Sequence, residues 1–422
     1  MENSKFGLLG EKLGHSHSPQ IYEMFTIPGY ELFEVPREDV HTFLKTTQLE
    51  GLNVTIPYKK IAMEQCDYLS ETAKRLGNVN TIRFKDGKLY GDNTDYYGFT
   101  FMLKELKLSF KGKKVLILGT GGSAQTVHAA AQDMGAEQIV HLSRNPQPSH
   151  DWKIDSYDNL IQYADFHFLI NATPVGMAPD LMVQAISLEG FTGLEGVIDL
   201  VYNPIRTKLV LDARSRNIPA IGGLLMLVAQ AKKAAELYLD KEIPDQSICT
   251  IYNMLLHKLE NVVFVGMPGS GKTTIGSEIA QKMNRQFVDI DHYIEMTTHM
   301  HPAEWIIHKG EGAFREVETQ ALHKISSMSG IVIAPGGGGI LSNENRIALK
   351  QNSRVYWLNR TLAKLDRANR PLSTDLEALY EARRALYEAV SDYAVENEDR
   401  NSHLVADKII DEFYQPRGPV CL

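Results

Sequence analysis

KKVLILGTGGSAQTVHAAAQDMG, residues 113–135, reads as an apolar strand, a glycine turn and the start of a helix. Gly119, Gly121 and Ala124 fit the spacing G-x-G-x-x-[G/A]. Glycines at those places let the backbone approach a pyrophosphate, and the helix N-terminus stabilises its charge. A dinucleotide-binding turn is therefore expected. The next strand ends in HLSRNP, with Ser143 and Arg144 where an acidic residue would hold a ribose 2′-hydroxyl. A cation there suits a 2′-phosphate, which favours NADP(H) over NAD. The bland alternative for Arg144 is a solvated surface arginine.

A second stretch of the same kind is NVVFVGMPGSGKTTIGSEIA, residues 261–280. Gly266, Gly271, Lys272 and Thr273 complete G-x-x-x-x-G-K-[ST] between an apolar strand and an amphipathic helix. Such a loop cradles phosphates with backbone amides, Lys272 reaches the outer ones, and Thr273 is expected to touch magnesium. ATP is the implied nucleotide, with Gly269, Ser270 and Thr274 as further contacts.

Between and around these turns, strand-like runs alternate with helical segments, as in QIVHLS, FHFLINA, GVIDLVY and IVIAPGG. That alternation predicts an α/β chain of parallel sheets covered by helices. Two distant phosphate-binding turns predict two nucleotide domains. The boundary is expected near residues 256–262, where LLHKLE ends a helix and NVVFVG begins a strand, with no flexible linker between them.

Of 422 residues, 43% are hydrophobic and 23% charged, which is ordinary for a globular enzyme. The formal charge of −8 excludes a basic nucleic-acid footprint, so any cations that meet anionic substrates must be concentrated locally. The three cysteines, Cys66, Cys249 and Cys421, have no metal-ligand spacing, and no disulfide framework is expected. A reducing, cytoplasmic setting is the corresponding expectation. The N-terminus lacks the apolar core of a signal peptide, and no membrane span is expected.

Several short polar clusters remain. GHSHSP places Ser16 and Ser18 on the same side of an extended segment, and GLNVTIPYKK sets Asn53, Thr55 and Lys59 around Pro57. GNVNTIRF offers Asn80, and GDNTDYYG offers Asp95. Each alone has a turn-chemistry explanation. Together they form one pattern: KLGHSHSP, NVTIPYK, NTDYYG, GTGGSA, INATPVGM, IDLVYNP and GGLLMLVAQA occur in order. Over residues 5–258 the chain resembles shikimate dehydrogenases.

The resemblance implies two lobes, a mixed α/β substrate lobe near 1–100, with helices 226–258 returning across it, and a Rossmann lobe near 101–230. It makes Lys59 and Asp95 the catalytic pair. It assigns Ser16 and Ser18 to the substrate carboxylate, and Thr55, Asn80 and Gln230 to its hydroxyls. Tyr202 lines that site, and Gly223 and Met226 lie near the nicotinamide. Gly122, Ser123 and Thr173 join Gly119, Gly121, Ala124, Ser143 and Arg144 around NADP. The family's NRT is SRN here, so the arginine charge is kept and the preceding side chain differs.

Downstream, FVDIDHYIE gives Asp289 and Asp291 on the same side of a strand end. GEGAFREVE gives Arg315, and IVIAPGGGGI gives Gly336, Gly337 and Gly338. This set resembles shikimate kinases over 261–415, and the P-loop domain is expected to span 261–422. The resemblance places Asp289 with Thr273 in the magnesium network and makes Asp291 the group that orients and deprotonates the attacking hydroxyl. Arg315 takes the substrate carboxylate, and Gly336–Gly338 meet the ring hydroxyls. In DRANRPL, Arg370 is the lid arginine and Arg367 the adenine-stacking one, across a shorter lid than is usual. Arg383 is the second carboxylate-binding arginine, with Arg384 as the neighbour it could be confused with.

The expected activity is therefore bifunctional: NADPH-dependent reduction of 3-dehydroshikimate to shikimate, then ATP- and magnesium-dependent phosphorylation of shikimate to shikimate 3-phosphate. The partners are these small molecules. The alternatives are quinate specificity in the first half, or a sensor that binds the metabolites without turnover; a sensor is expected to lack Lys59, Asp95, Lys272, Asp289 or Asp291, and all five are present.

Overall fold

The computed structural model describes residues 5–14, 16–149, 151–365, 376–398 and 401–415. Three sheets follow one another along the chain. The first contains β1 (Phe6–Gly10), β2 (Glu31–Glu34), β3 (Gly51–Val54), β4 (Tyr68–Leu69), β5 (Thr81–Lys85) and β6 (Lys88–Asp92), in the order β2-β1-β3-β5-β6-β4. The pairs β1/β2, β1/β3 and β4/β6 are parallel, whereas β5 runs antiparallel to both β3 and β6. Turn chemistry explains the reversal. Asp86 and Gly87 both have positive φ, the requirement of a tight two-residue hairpin, and Lys85 pairs directly with Lys88.

The second sheet holds β7 (Lys114–Leu118), β8 (Gln138–Ser143), β9 (Lys153–Ser156), β10 (Phe168–Asn171), β11 (Gly196–Asp199) and β12 (Ala220–Ile221). Its order, β12-β11-β10-β7-β8-β9, is parallel throughout. The strand order reverses between β7 and β10, and ligands of doubly wound sheets bind at that point. Residues Val115–Leu118 and Phe168–Asn171 are all buried, as strands covered on both faces must be.

The third sheet, β14-β15-β13-β16-β17, is also parallel. Its strands are β13 (Asn261–Val265), β14 (Phe287–Asp289), β15 (Val332–Ala334), β16 (Ser353–Asn359) and β17 (Tyr393–Glu396). The parallel α/β architecture read from the strand–helix alternation holds for the second and third sheets, whereas the first is mixed because β5 runs antiparallel to β3 and β6.

Helix Leu224–Leu239 packs tightly on helix Asp95–Glu105. A Cβ at Gly98 would lie 2.7 Å from the Met226 carbonyl oxygen and 2.9 Å from Gln230 Cβ, so the glycine permits the backbones to approach. The far end of the same helix reaches the first sheet, where Tyr238 covers Gly51 and Arg83 donates to the Leu237 carbonyl.

Helix Gln246–Leu259 gives way to β13 through Glu260 alone. Glu260 is fully buried between two arginines. Arg354, on β16, is 3.1 Å away and itself 0% exposed, and Arg206 is 2.9 Å away on the other side. Arg354 also donates to the carbonyls of Glu412 and Phe413, which ties down helix Ser402–Phe413.

Cys66 is free. Cys421, Arg367 and Arg370 lie outside the described residues. Among the described residues, no helix is long and apolar enough to cross a membrane.

Replacing Arg354 by Met removes one of the two cations facing a buried carboxylate. We expect a loss of about 3–5 kcal/mol in the stability of the third-sheet domain, measured by denaturant unfolding.

Candidate active sites

The first site forms where helix starts meet the switch point of the second sheet. Lys59 opens helix Lys59–Gln65 and Asp95 opens helix Asp95–Glu105. The carboxylate gains from the positive end of its helix. Lys59 Nζ lies 2.5 Å from Asp95 Oδ2, and both side chains are largely buried. The other oxygen, Asp95 Oδ1, accepts from Asn80 Nδ2 at 2.9 Å.

Around this pair a polar network holds each group in one orientation. Asn80 Oδ1 accepts the Thr94 amide at 2.8 Å, and its Nδ2 also reaches Thr94 Oγ1 at 3.1 Å. Thr94 donates to Gln230 Oε1 at 3.3 Å. Asn53 donates to Thr81 and accepts from Tyr30, so it braces the sheet beneath Asn80. Ser16 and Ser18 come together, with oxygens 3.1 Å apart; Ser18 begins helix Ser18–Met24 rather than continuing an extended segment. His17 between them meets the Tyr202 ring edge-on at 5.9 Å. Thr55 lies at the end of β3, its amide bonded to the Leu9 carbonyl.

The glycine turn closes the site from the other lobe. Gly119 has φ +104°, and a Cβ there would meet Thr173 at 3.0 Å. Gly121 caps helix Gly122–Asp133, which carries Ser123 and Ala124 in its first turn. A Cβ on Gly122 would touch Lys59 Cδ at 3.7 Å. The glycine turn is therefore in contact range of the lysine. Ser143 ends β8, its hydroxyl accepting the Asn145 amide, and Arg144 is exposed beside it. Gly223 packs under Leu200 and caps the helix that bears Met226 and Gln230.

The second site gathers at the ends of β13, β14 and β15. Gly266, Gly269 and Gly271 all have positive φ, a conformation that glycine allows and that curls the loop between β13 and helix Lys272–Lys282. Asn397 Nδ2 holds the Ser270 carbonyl at 2.7 Å. Lys272 Nζ donates to the carbonyls of Gly266 and Met267, which keeps the ammonium against the loop. Thr273 donates to Asp289 Oδ2 at 2.8 Å; Thr274 follows, exposed.

Asp291 is not on a strand end. The side chain of Asp289 accepts the amides of Asp291 and His292, so it caps a helix, Ile290–Thr298, and places Asp291 in its first turn. Burial, aided by the charges of Asp289 and Glu318 and opposed by Lys272, raises the Asp291 carboxyl to about 6.

The glycine run brings the remaining groups together. A Cβ on Gly336 would strike Asp291 Oδ1 at 2.5 Å, and one on Gly338 would strike the Arg315 guanidinium at 2.1 Å. Arg383 donates to the Gly337 carbonyl at 2.6 Å. Arg384 instead pairs with Glu388 on the exposed helix face, which separates the two neighbours. Asp291, Arg315 and Arg383 thus converge on one backbone segment.

Sequence reading passed over Thr94, Asn397 and Glu318. Glu318 is 1% exposed and accepts from Arg315 at 2.7 Å, and burial raises its pKa. The i,i+3 spacing of Arg315 and Glu318 on one helix was the available signal.

A model of the shikimate dehydrogenase substrate binding domain matches residues 8–82, and a model of shikimate kinase matches 268–414. The shikimate dehydrogenase (NADP(+)) of Clostridium perfringens strain ATCC 13124 is 40% identical over 247 residues, 55% of this chain and 91% of the relative. The solved chorismate mutase/shikimate 5-dehydrogenase fusion protein of Clostridium acetobutylicum superposes with a TM-score of 0.57 at 36% identity. That match covers 60% of this chain and 98% of the other. Shikimate 5-dehydrogenase of Thermus thermophilus, solved with NADP(H) and shikimate, gives 0.53 at 29% identity, over 59% and 98%.

Substituting Glu318 by Gln removes a negative neighbour of Asp291. The titration midpoint of the Asp291 carboxyl, followed by carbon-13 NMR, is expected to fall below about 6.

Proposed function

This chain belongs to the shikimate dehydrogenase family, with a shikimate kinase domain joined to its C-terminal side, and from that premise we propose that it performs two successive reactions. It reduces 3-dehydroshikimate to shikimate, then phosphorylates the hydroxyl just formed. The observation that carries the reading is the same at both sites. Each glycine turn stands beside ionisable side chains: Gly122 within van der Waals range of Lys59, and Thr273 bonded to Asp289, which in turn accepts the Asp291 amide.

NADPH supplies a hydride to the ketone carbon, and ATP supplies the phosphoryl group. In the first site, Lys59 stabilises the negative charge that develops on the ketone oxygen and passes it a proton. Asp95 fixes the ammonium at 2.5 Å and is itself fixed by Asn80. Ser16 and Ser18 present paired hydroxyls to the substrate carboxylate. Thr55, Asn80 and Gln230 meet the ring hydroxyls, and Tyr202 closes the same side. Arg144 faces the 2′-phosphate.

In the second site, Asp291 takes the proton of the attacking hydroxyl, and its raised pKa keeps it basic enough to do so. Arg315 and Arg383 bind the carboxylate, and Gly336–Gly338 offer bare backbone to the ring. Glu318 holds the Arg315 fork in plane. Magnesium fits Thr273 and Asp289, a hydroxyl and one carboxylate 2.8 Å apart. No group of three or more His, Cys, Asp or Glu side chains among the described residues could hold a metal ion, and magnesium that arrives with a nucleotide needs only one or two protein carboxylates.

Lys59→Ala is expected to lower dehydrogenase kcat about 10²–10⁴-fold and leave the kinase unchanged; Asp291→Ala does the converse. Separate initial-rate assays of the two reactions decide this, and loss of both activities in either variant contradicts the two-site reading. Because Asp291 must be ionised to act, kinase kcat/KM should fall as pH drops through about 6. A flat profile between about pH 5 and 8 would remove Asp291 as the base.

A further inference from the structure

The loop that follows β11 runs from Leu200 to Thr207 and carries Tyr202. It is bonded at both ends. On the dehydrogenase side, the Val201 carbonyl accepts the Gly223 amide at 2.9 Å. A Cβ on Gly223 would fall 2.2 Å from the Leu200 carbonyl oxygen, and one on Gly222 would fall 2.6 Å from that of Ile205. The loop backbone is thus in direct contact with the two glycines that begin helix Leu224–Leu239, the helix of Met226 and Gln230.

On its other side the same loop is bonded to the kinase fold. The Ile205 amide donates to Asn352 Oδ1 at 2.9 Å, and the Arg206 amide to the Gln351 carbonyl at 2.9 Å. The Arg206 guanidinium donates to the carbonyls of Lys350 and Ser353 and pairs with Glu260 at 2.9 Å. Gln351 reaches back to the Leu181 carbonyl at 2.7 Å. Gln351, Asn352 and Glu260 are almost wholly buried. Bonds to buried, fixed groups of this kind restrain a loop to one conformation, and a loop so restrained holds its side chains in one place.

We propose that the kinase domain forms part of the structural wall of the dehydrogenase site, with Arg206 and Asn352 acting as positioning residues for the loop of Tyr202 and, through Gly222 and Gly223, for Met226 and Gln230. This rests on the reading of Tyr202 and Gln230 as substrate contacts. The restraint passes through packed backbone, with one residue, Ile205, bonded to the kinase by its amide and close against Gly222 through its carbonyl. Neither residue touches the substrate, so the proposal concerns geometry and not proton transfer.

The test uses the full chain, with Arg206→Ala, Arg206→Lys and Asn352→Ala. Shikimate oxidation by NADP+ is measured alongside kinase kcat/KM on the same preparations. We expect the KM for shikimate to rise about ten-fold in Arg206→Ala. Arg206→Lys, which keeps the charge and loses the fork, should be intermediate. NADP+ affinity and kinase kcat/KM should stay within about two-fold of the parent, a split that general unfolding does not produce. An unchanged KM in Arg206→Ala and Asn352→Ala, with both domains folded, overturns the proposal. If Arg206→Ala does not fold, Asn352→Ala decides alone, and hydrogen exchange of the 199–207 segment shows whether its protection is lost; retained protection also overturns it. If the parent chain does not oxidise shikimate, the reading of the site fails instead, and the exchange experiment still judges the clamp.

Discussion

A phosphate group can be held by backbone amides only where no Cβ stands in the way, and this constraint organises both halves of the chain. Gly119, Gly266, Gly269 and Gly271 adopt positive φ that other residues resist. The same bareness recurs in the glycine run after β15. Gly336 and Gly338 leave room for the Asp291 carboxylate and the Arg315 guanidinium. Parallel sheets supply the setting, because β7 and β13 end where neighbouring strands diverge and a ligand finds a crevice. Helix starts at Lys59, Asp95 and Ile290 then deliver the ionisable groups.

The join between the halves follows a different rule. A carboxylate with no exposure must be paired, and Glu260 is paired from both sides. One arginine belongs to the loop before helix Lys208–Ser215, and the other to β16. Because Glu260 is the one residue between helix Gln246–Leu259 and β13, the chain crosses from one fold to the other inside this ionic cluster. Arg285 adds bonds to the carbonyls of His257 and Glu260. The domains therefore meet through directed, buried bonds and not through a tether.

The glycine turns were legible in the sequence because the chemistry is local: a strand, a turn and a helix within one short window state their own purpose. The strand–helix alternation was legible for the same reason in the second and third sheets, but in the first it did not reveal the antiparallel β5, which a two-residue turn at Asp86 and Gly87 sets. Asp291 was misplaced because the decisive event is the capping of a helix by Asp289, which ends β14 two residues earlier than the apolar pattern implies. Glu318, Thr94 and Asn397 matter through partners that their immediate neighbours in the sequence do not announce. Arg206 and Asn352 are the extreme case, since their bonds exist only when two folds share one chain.

We propose that one polypeptide hosts two successive reactions on the same hydroxyl. The direct measurement supplies the purified full chain with 3-dehydroshikimate and NADPH, follows absorbance, then adds ATP and magnesium and identifies the product by mass. Shikimate alone is expected before ATP is added, and shikimate 3-phosphate afterwards. NADPH consumption with no phosphorylated product, or no consumption at all, would contradict it.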